Sequence, residues 1–308
     1  MMPKKTVCVM MSTYNGERFI REQLESILAQ EDVDVTLYVR DDGSTDGTID
    51  IINSIRGKKV YIERGNNWGY KKSFFYLMKN VPLDYDYYAF ADQDDFWLPD
   101  KLITAVSEID EHNGCVAYCT SPCYVDEKLQ SLKNCHSIID DLPYGLVKTE
   151  WAVATCIFGL GCTFVWNKNL QSIIHKDRNF EVDFCHDNFL AVMAALLGKL
   201  IHSENSKILY RQHGGNCSGN KQKTKSFFSK IVGWVFVENN DLNYKMREYI
   251  LQHYSEYIEE KQCKLLELST SYRWKWKKKF MLLRKMPARG LNRHEQIKFC
   301  LNVLTNRY

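Results

Sequence analysis

The stretch Tyr87-Tyr88-Ala89-Phe90-Ala91-Asp92-Gln93-Asp94-Asp95-Phe96-Trp97 changes character in its middle. Five uncharged apolar and aromatic residues read as a buried strand. Three carboxylates in the next four positions repel one another unless a cation or strong donors compensate. Pro99 then opens a helix to about residue 109, since a proline in the first turn gives up an N–H that the helix would not have used. A buried strand that ends in a polar loop and passes into a helix is the unit of a parallel α/β sheet, whose ligands bind beyond the carboxyl ends of the strands.

Toward the N-terminus the same unit repeats. Residues 7–11, 35–39 and 59–63 read as strands. Residues 17–30, 46–55 and 71–79 read as helices, the first with Ile20, Leu24, Ile27 and Leu28 on one face. Polar clusters close each strand, at residues 12–16, 41–47, 64–69 and 92–95. Four such ends point to one site at the edge of a mainly parallel sheet with helices on both faces. Toward the C-terminus, residues 115–210 are less regular, with a helix expected at 187–197. Beyond residue 221 the chain reads as helical and basic, through 227–237, 243–264 and 297–304, with a break at 287–290. A catalytic region of residues 1–220 and a helical region of 221–308 are expected.

With 308 residues, 45% hydrophobic and 26% charged, the chain can bury a full core. Its net charge of +3 gives no ground for a nucleic-acid partner. The charge is uneven, however. Residues 271–308 hold 11 Lys and Arg against one acid, Glu295, a net of +10, which leaves −7 on the remainder. The eleven cysteines and the short apolar run before Ser12, too brief for a secretory leader, suggest reduced thiols in a cytoplasmic protein. Cys115, Cys119 and Cys123 lack a paired Cys-x-x-Cys, so a metal cluster there is disfavoured. Residues 151–166 are uncharged but fall short of the roughly 20 needed to span a bilayer, and no transmembrane helix is expected.

Oxygen ligands such as those of residues 92–95 select a hard ion, Mg²⁺ or Mn²⁺, and the bland alternative is an acidic solvated turn. In the second acidic loop, residues 40–48, Asp-Gly makes a turn and Ser44, Thr45 or Asp46 can cap the next helix. Capping explains Asp46 better than the doublet Asp41-Asp42, which can accept hydrogen bonds from a nucleobase or ribose.

Three motifs, in this order and at these separations, resemble family 2 glycosyltransferases with the GT-A fold, and within them the bacterial rhamnosyltransferase-like branch. They are Ser12-Thr13-Tyr14-Asn15-Gly16, Arg40-Asp41-Asp42-Gly43-Ser44-Thr45-Asp46, and Phe90-Ala91-Asp92-Gln93-Asp94-Asp95-Phe96-Trp97-Leu98-Pro99-Asp100-Lys101-Leu102. The likeness continues at Cys185-His186-Asp187-Asn188-Phe189 and Tyr210-Arg211-Gln212-His213-Gly214-Gly215-Asn216, and fades after about residue 220.

The resemblance implies a metal held by Asp92 and Asp94, with His213 as a further ligand. It implies a nucleotide-sugar pocket of Thr13, Tyr14, Asn15, Asp41, Asp42, Asp92 and Gln93, the Tyr14 ring stacking on the base and Asp42 accepting its imide N–H. Arg211 and His213 would face the diphosphate. Lys71 and Lys72, after Asn66-Asn67-Trp68-Gly69, are further candidates to meet phosphate, their plain alternative being ordinary surface lysines at the start of a helix. Asp187 would be the general base, its plain alternative being a helix N-cap. One base and direct attack imply inversion at the anomeric carbon. The branch favours dTDP-L-rhamnose as donor, a UDP-hexose next, and a surface polysaccharide or lipid-linked glycan as acceptor.

The tail Tyr272-Arg273-Trp274-Lys275-Trp276-Lys277-Lys278-Lys279-Phe280-Met281-Leu282-Leu283-Arg284-Lys285 interleaves bases with aromatic residues. That pattern suits the anionic surface of the inner face of a cell membrane. A helix packed on the catalytic region or on a second subunit is the alternative. Two other functional classes were weighed: a nucleotidyltransferase, for which no Gly-rich basic phosphate loop stands near the N-terminus, and a non-catalytic sugar-nucleotide-binding module, which would not need Asp94 and Asp187.

Overall fold

Strands β1 (Lys5–Thr13), β2 (Val33–Asp41), β3 (Val60–Arg64) and β4 (Tyr87–Ala91) alternate with helices α1 (Ile20–Leu28), α2 (Thr48–Ile55) and α3 (Tyr70–Asn80). All four strands run parallel, in the order β3-β2-β1-β4. The computed structural model describes residues 3–55, 59–132, 135, 138–156, 158–179, 181–214, 241–285 and 293–306. The helices expected at 17–30 and 46–55 each start two or three residues later, because the intervening residues build the loops of the site.

The two-residue period of the strands sorts their side chains between two cores. Val7, Val9 and Met11 of β1, with Ala89 and Ala91 of β4, pack against Ile20, Leu24 and Ile27 of α1 and Ile52 of α2. Cys8 and Met10, with Tyr88 and Phe90, face Phe74, Phe75 and Met78 of α3. Each such fully buried side chain contributes about 1.5–3 kcal/mol. Leu28, expected on the buried face of α1, is exposed.

The chain continues through β5 (Phe96–Trp97), α4 (Lys101–Asp110), β6 (Cys115–Thr120), β7 (Cys123–Val125), β8 (Gly145–Leu146) and α5 (Thr149–Thr155). Then come β9 (Val165–Asn167), α6 (Lys168–Ile174), α7 (His186–Leu197), β10 (Gly198–Ser203) and β11 (Ile208–Arg211). The irregular reading of residues 115–210 has a topological cause. β9 inserts antiparallel between β4 and β6, and β10 returns parallel to β6, completing an eight-stranded sheet in the order β3-β2-β1-β4-β9-β6-β10-β8. A second, three-stranded sheet, β5-β11-β7, ties the segment after the acidic loop to the segment that carries Arg211.

Four more helices follow: α8 (Asp241–Tyr254), α9 (Glu260–Ser271), α10 (Trp276–Lys285) and α11 (Arg293–Leu304). The single helix expected at 243–264 is two. Met246, Ile250, Tyr254 and Ile258 keep a four-residue spacing, but a 3-10 turn, Ser255–Tyr257, breaks the run so that α9 can bury Leu265, Leu266 and Leu268 separately. Met246, Leu266, Tyr272, Leu282 and Val303 belong to the same apolar cluster as α3 and α7. Arg247 Nη1 donates to the Val153 carbonyl at 3.3 Å, and buried Lys79 donates to the Ile174 carbonyl beside the Tyr254 hydroxyl. The helix expected at 227–237 and the break at 287–290 lie outside the described residues.

Among the described residues no helix is long and apolar enough to cross a membrane, and the described cysteines form no disulfide. Cys115 and Cys119 are buried along β6 while Cys123 is exposed, and the three do not converge on a metal site.

Candidate active site

The loops after β1 and β2 lock together at the carboxyl edge of the sheet. Asn15, in the left-handed region at φ 47°, donates its N–H to Ser44 Oγ at 2.9 Å and accepts from the Thr45 N–H at 2.9 Å. Asp46 accepts from the N–H of Thr48 at 3.1 Å at the entry to α2, so it is the capping residue of this loop. Asp41 is fully buried. Its Oδ2 accepts from Thr13 Oγ1 at 3.0 Å and its Oδ1 from the N–H groups of Gly43 and Ser44. Asp42 is ion-paired with Arg40 and accepts from Ser73 Oγ at 2.6 Å. The Arg40 guanidinium lies 3.8 Å from the centre of the Trp68 ring. Thr13, Asp41 and Asp42 are thus buried at this edge with hydrogen bonds or ion pairs inside the protein, while Tyr14, 47% exposed, stands at its rim.

Gln93 joins the acidic loop to that rim. It accepts from the Tyr14 N–H at 2.9 Å and donates to the Tyr14 carbonyl at 3.2 Å. Gly16 leaves room for this contact, since a Cβ there would stand 2.4 Å from Gln93 Oε1 and displace the amide.

Within the acidic loop Asp94 parts from Asp92 and Asp95, which stay close together. Asp94 reaches outward to His213, Oδ2 to Nε2 at 2.8 Å. Asp95 turns fully inward, where its Oδ1 accepts from the Arg211 N–H at 3.2 Å and its Oδ2 has no hydrogen-bond partner. Asp92, Asp95 and Cys162 offer ligand atoms within 4.8 Å of one another, the Cys162 thiol donating to the carboxylates. Burial, then the charges of Asp94 and Asp187, push Asp92 up to about 7. Lys101 stands behind this cluster, buried, 3.8 Å from the centre of the Trp97 ring, and burial pulls it down to about 7. The structure brings Asp94 together with His213 but sets Asp92 beside Asp95 and Cys162, so the three expected metal ligands are not gathered as one set. The Asp94 carboxylate and the His213 imidazole are donors suited to Mg²⁺ or Mn²⁺, and a cation there would offset part of the negative charge beside Asp92.

Arg211 braces the acidic loop from behind. Its guanidinium, 1% exposed, donates to the Asp94 carbonyl at 2.9 Å, the Glu127 carbonyl at 2.5 Å and Glu22 Oε2 at 2.6 Å. These acceptors keep the group in the wall of the pocket. The backbone of the loop also hangs on a polar stripe of α1 and its C-terminal flank. Gln23 donates to the Asp92 carbonyl at 2.9 Å, Ser26 Oγ accepts from the Trp97 N–H at 3.1 Å, and Gln30 bonds the Leu98 carbonyl at 2.7 Å and the Leu102 N–H at 2.9 Å. Sequence reasoning missed this stripe. Its signal was uncharged polar residues at spacings of three and four beside the apolar face.

Asp187 lies inside the first turn of α7, and Cys185 holds the N-cap position without a side-chain bond, so Asp187 is not the N-cap. Its Oδ1 accepts from the Asn188 N–H at 2.7 Å. Burial pushes its carboxyl up to about 6, against the Asn188 N–H, its own N–H, the Lys71 ammonium and the Gly161 N–H. Lys71, one of the two lysines read as candidates for phosphate, bonds the Asp183 carbonyl at 3.3 Å and sets its charge near Asp187. Lys72 follows it, half-buried, on α3. His186 stacks on Phe74 at 4.2 Å, both ring nitrogens buried without hydrogen-bond partners, and burial holds it down to about 3. Gly161 permits this packing, since a Cβ there would lie 2.6 Å from His186 Nε2.

The raised Asp92 carboxyl, the Asp94–His213 pair and the exposed Tyr14 ring thus lie at the carboxyl ends of β4, β11 and β1. Comparison with known proteins finds the glycosyl transferase family 2 pattern over residues 8–197. A dTDP-rhamnosyl transferase, RfbG, of Shigella flexneri is 30% identical over 72% of this chain and 78% of its own. WfaP of Escherichia coli, named a UDP-Glc:alpha-D-GlcNAc-diphosphoundecaprenol beta-1,3-glucosyltransferase, is 25% identical over 70% of this chain and 81% of its own. Among solved structures, residues 1–349 of Staphylococcus aureus TarS superpose with a TM-score of 0.60 at 17% identity, covering 98% of this chain and 80% of that one. At that identity the superposition speaks for the fold alone.

Proposed function

The chain belongs to glycosyl transferase family 2 and is a glycosyltransferase of GT-A fold, and from that premise we propose that it moves rhamnose, or next a UDP-linked hexose, from a nucleotide donor to a hydroxyl of a surface or lipid-linked glycan. The observation that supports the reading is the pairing of Asp94 with His213 at 2.8 Å over the acidic loop, with a second raised carboxyl, Asp187, near enough for its charge to add to the rise of Asp92. The name of the Shigella relative supports dTDP-rhamnose, and that of the Escherichia relative supports an acceptor on a lipid diphosphate.

In this mechanism Tyr14 stacks on the base, with Thr13, Asn15, Asp41 and Asp42 fixing the loops beneath it. Gln93 sets the distance between that rim and the acidic loop. Asp94 and His213, joined by Asp92 if its side chain turns from Cys162, would hold Mg²⁺ or Mn²⁺, which when bound would offset the negative charge of the leaving diphosphate. Lys71 and Lys72 add positive charge on the α3 side, and Arg211 acts as a brace. Asp187 accepts the proton of the acceptor hydroxyl as its oxygen bonds to the anomeric carbon. The bond from that carbon to the phosphate oxygen breaks, its electron pair leaves with the nucleoside diphosphate, and the anomeric centre inverts.

Thermal unfolding with dTDP, UDP, GDP or ADP, with and without Mn²⁺, tests the reading. A ligand at a hundredfold excess over its Kd stabilises the native state by about 2.7 kcal/mol. The largest shift is expected with dTDP and Mn²⁺ together. A shift with UDP alone moves the donor, and no shift with any nucleotide overturns the proposal.

A further inference from the structure

Helix α10 inverts the usual polarity of a surface helix. Lys279 is 4% exposed, with its Nζ on the Leu304 carbonyl at 2.6 Å, and Lys278 reaches the Ser271 hydroxyl at 2.6 Å. Trp276 and Phe280, one turn apart on one face, are each 72% exposed, and Met281 beside them is 48% exposed. Trp274 is 84% exposed at φ 60°, its N–H held by Asn306 Oδ1 at 3.0 Å. A bulky residue in the left-handed region is uncommon and must be held there by its surroundings. On α11, Ile297, Leu301 and Leu304 line a second exposed stripe at helical spacing.

Lys275, Lys277, Arg284 and Lys285 surround the aromatic residues, all exposed. No acid occurs between residues 271 and 285, so the compensating i,i+4 partners of an ordinary solvated helix are missing. Indole and phenyl rings set among exposed cations that have no ion-pair partner among the described residues fit one environment, the boundary between anionic headgroups and acyl chains. A second copy fits poorly, because isologous pairing would set the same cations against each other. The net −7 of the remaining chain opposes a nucleic-acid strand extending beyond this face.

We propose that residues 274–285 are a docking surface for an anionic lipid bilayer. Trp274, Trp276, Phe280 and Met281 enter the headgroup region, and Lys275, Lys277, Arg284 and Lys285 meet lipid phosphates. The surface is independent of the donor and of the chemistry at Asp187, and it sets the enzyme where a lipid-linked acceptor would be found.

The test is sedimentation of the full chain with vesicles of phosphatidylcholine alone or with about 30% phosphatidylglycerol. Binding to the anionic vesicles only is expected, with loss as salt is raised to about 0.5 M and a blue shift of tryptophan emission on binding. Each of the four exposed cations changed to Ser weakens binding about fivefold. The combined variant Trp274→Ser, Trp276→Ser, Phe280→Ser keeps its melting temperature, since these rings face solvent, and loses at least about tenfold in partition. Failure of the full chain to bind anionic vesicles, or equal binding by the triple variant, overturns the proposal. So does a dimer of the full chain that the triple variant abolishes, which would make the face a contact between copies.

Discussion

The carboxylate of Asp94 and the imidazole of His213 meet at 2.8 Å across 119 residues of sequence. The contact is made because β11 pairs with β5, which brings the segment after Arg211 back over the acidic loop. Phe19 supports the imidazole from beneath, ring to ring at 4.9 Å. A carboxylate oxygen and a ring nitrogen presented together at a pocket mouth are a ready pair of donors for a divalent cation.

Removing either partner should weaken the metal more than the fold. For His213→Ala, Mn²⁺ affinity measured by calorimetry in the presence of dTDP is expected to fall at least about tenfold, the loss common even for outer-shell partners. Asp94→Asn should do the same, and the melting temperature without metal should change little in both. Unchanged Mn²⁺ affinity in both variants would exclude the pair from the metal site.

Asp187 should reveal itself through pH. As a base it works ionised, so with its carboxyl pushed up to about 6 the turnover rate should climb tenfold per unit below that value and level off above it. Asp187→Asn should lower kcat by about 10²–10⁴ with dTDP affinity retained. Stability should move the other way. The native carboxyl holds its proton more tightly than the unfolded one, whose value is near 3.8, so stability is full below about 4 and declines as pH rises through 6. The asparagine variant escapes that decline and should gain on the order of 1 kcal/mol at pH 8. A melting temperature that fell at pH 8 would mark Asp187 as a structural residue.

What could be read ahead of the structure was whatever depends on local period and on chain order. The strands of residues 7–11 and 87–91 announced themselves by continuous burial, and the polar loops at their ends placed the site on one edge of the sheet. The antiparallel insertion of β9 could not be read, because three residues between two helices carry no period of their own. Nor could the fate of Arg211. An arginine next to a Gly-rich loop looks like a phosphate ligand until the tertiary fold supplies Glu22 and two carbonyls as acceptors. Asp94 and Asp95 are neighbours of identical chemistry, and only the pairing of β5 with β11 decides that one faces out and the other in.

Arg211→Ala separates brace from phosphate ligand. As a brace, its loss leaves the Asp94 and Glu127 carbonyls short of a donor and should cost about 2–3 kcal/mol, less than a fully buried pair because Glu22 is half exposed. Chemical denaturation without ligand reads this directly. A variant as stable as the parent but with dTDP affinity reduced would assign Arg211 to the diphosphate instead.

The polar stripe beside α1 makes a graded prediction. Gln23→Met and Gln30→Met keep side-chain volume and remove donors to the acidic loop and its exit. Gln30 serves three backbone groups, the Ser26 and Leu98 carbonyls and the Leu102 N–H, and Gln23 serves one, the Asp92 carbonyl. An unsatisfied buried group costs about 1–3 kcal/mol, so Gln30→Met should be the less stable variant by denaturation. Metal affinity should rank the opposite way, because Gln23 fixes the backbone at Asp92, two residues before Asp94, and Gln30 acts six residues beyond Asp92. If both variants lost stability and Mn²⁺ affinity in the same proportion, the loop would respond as one rigid piece and the stripe would hold it only as a whole.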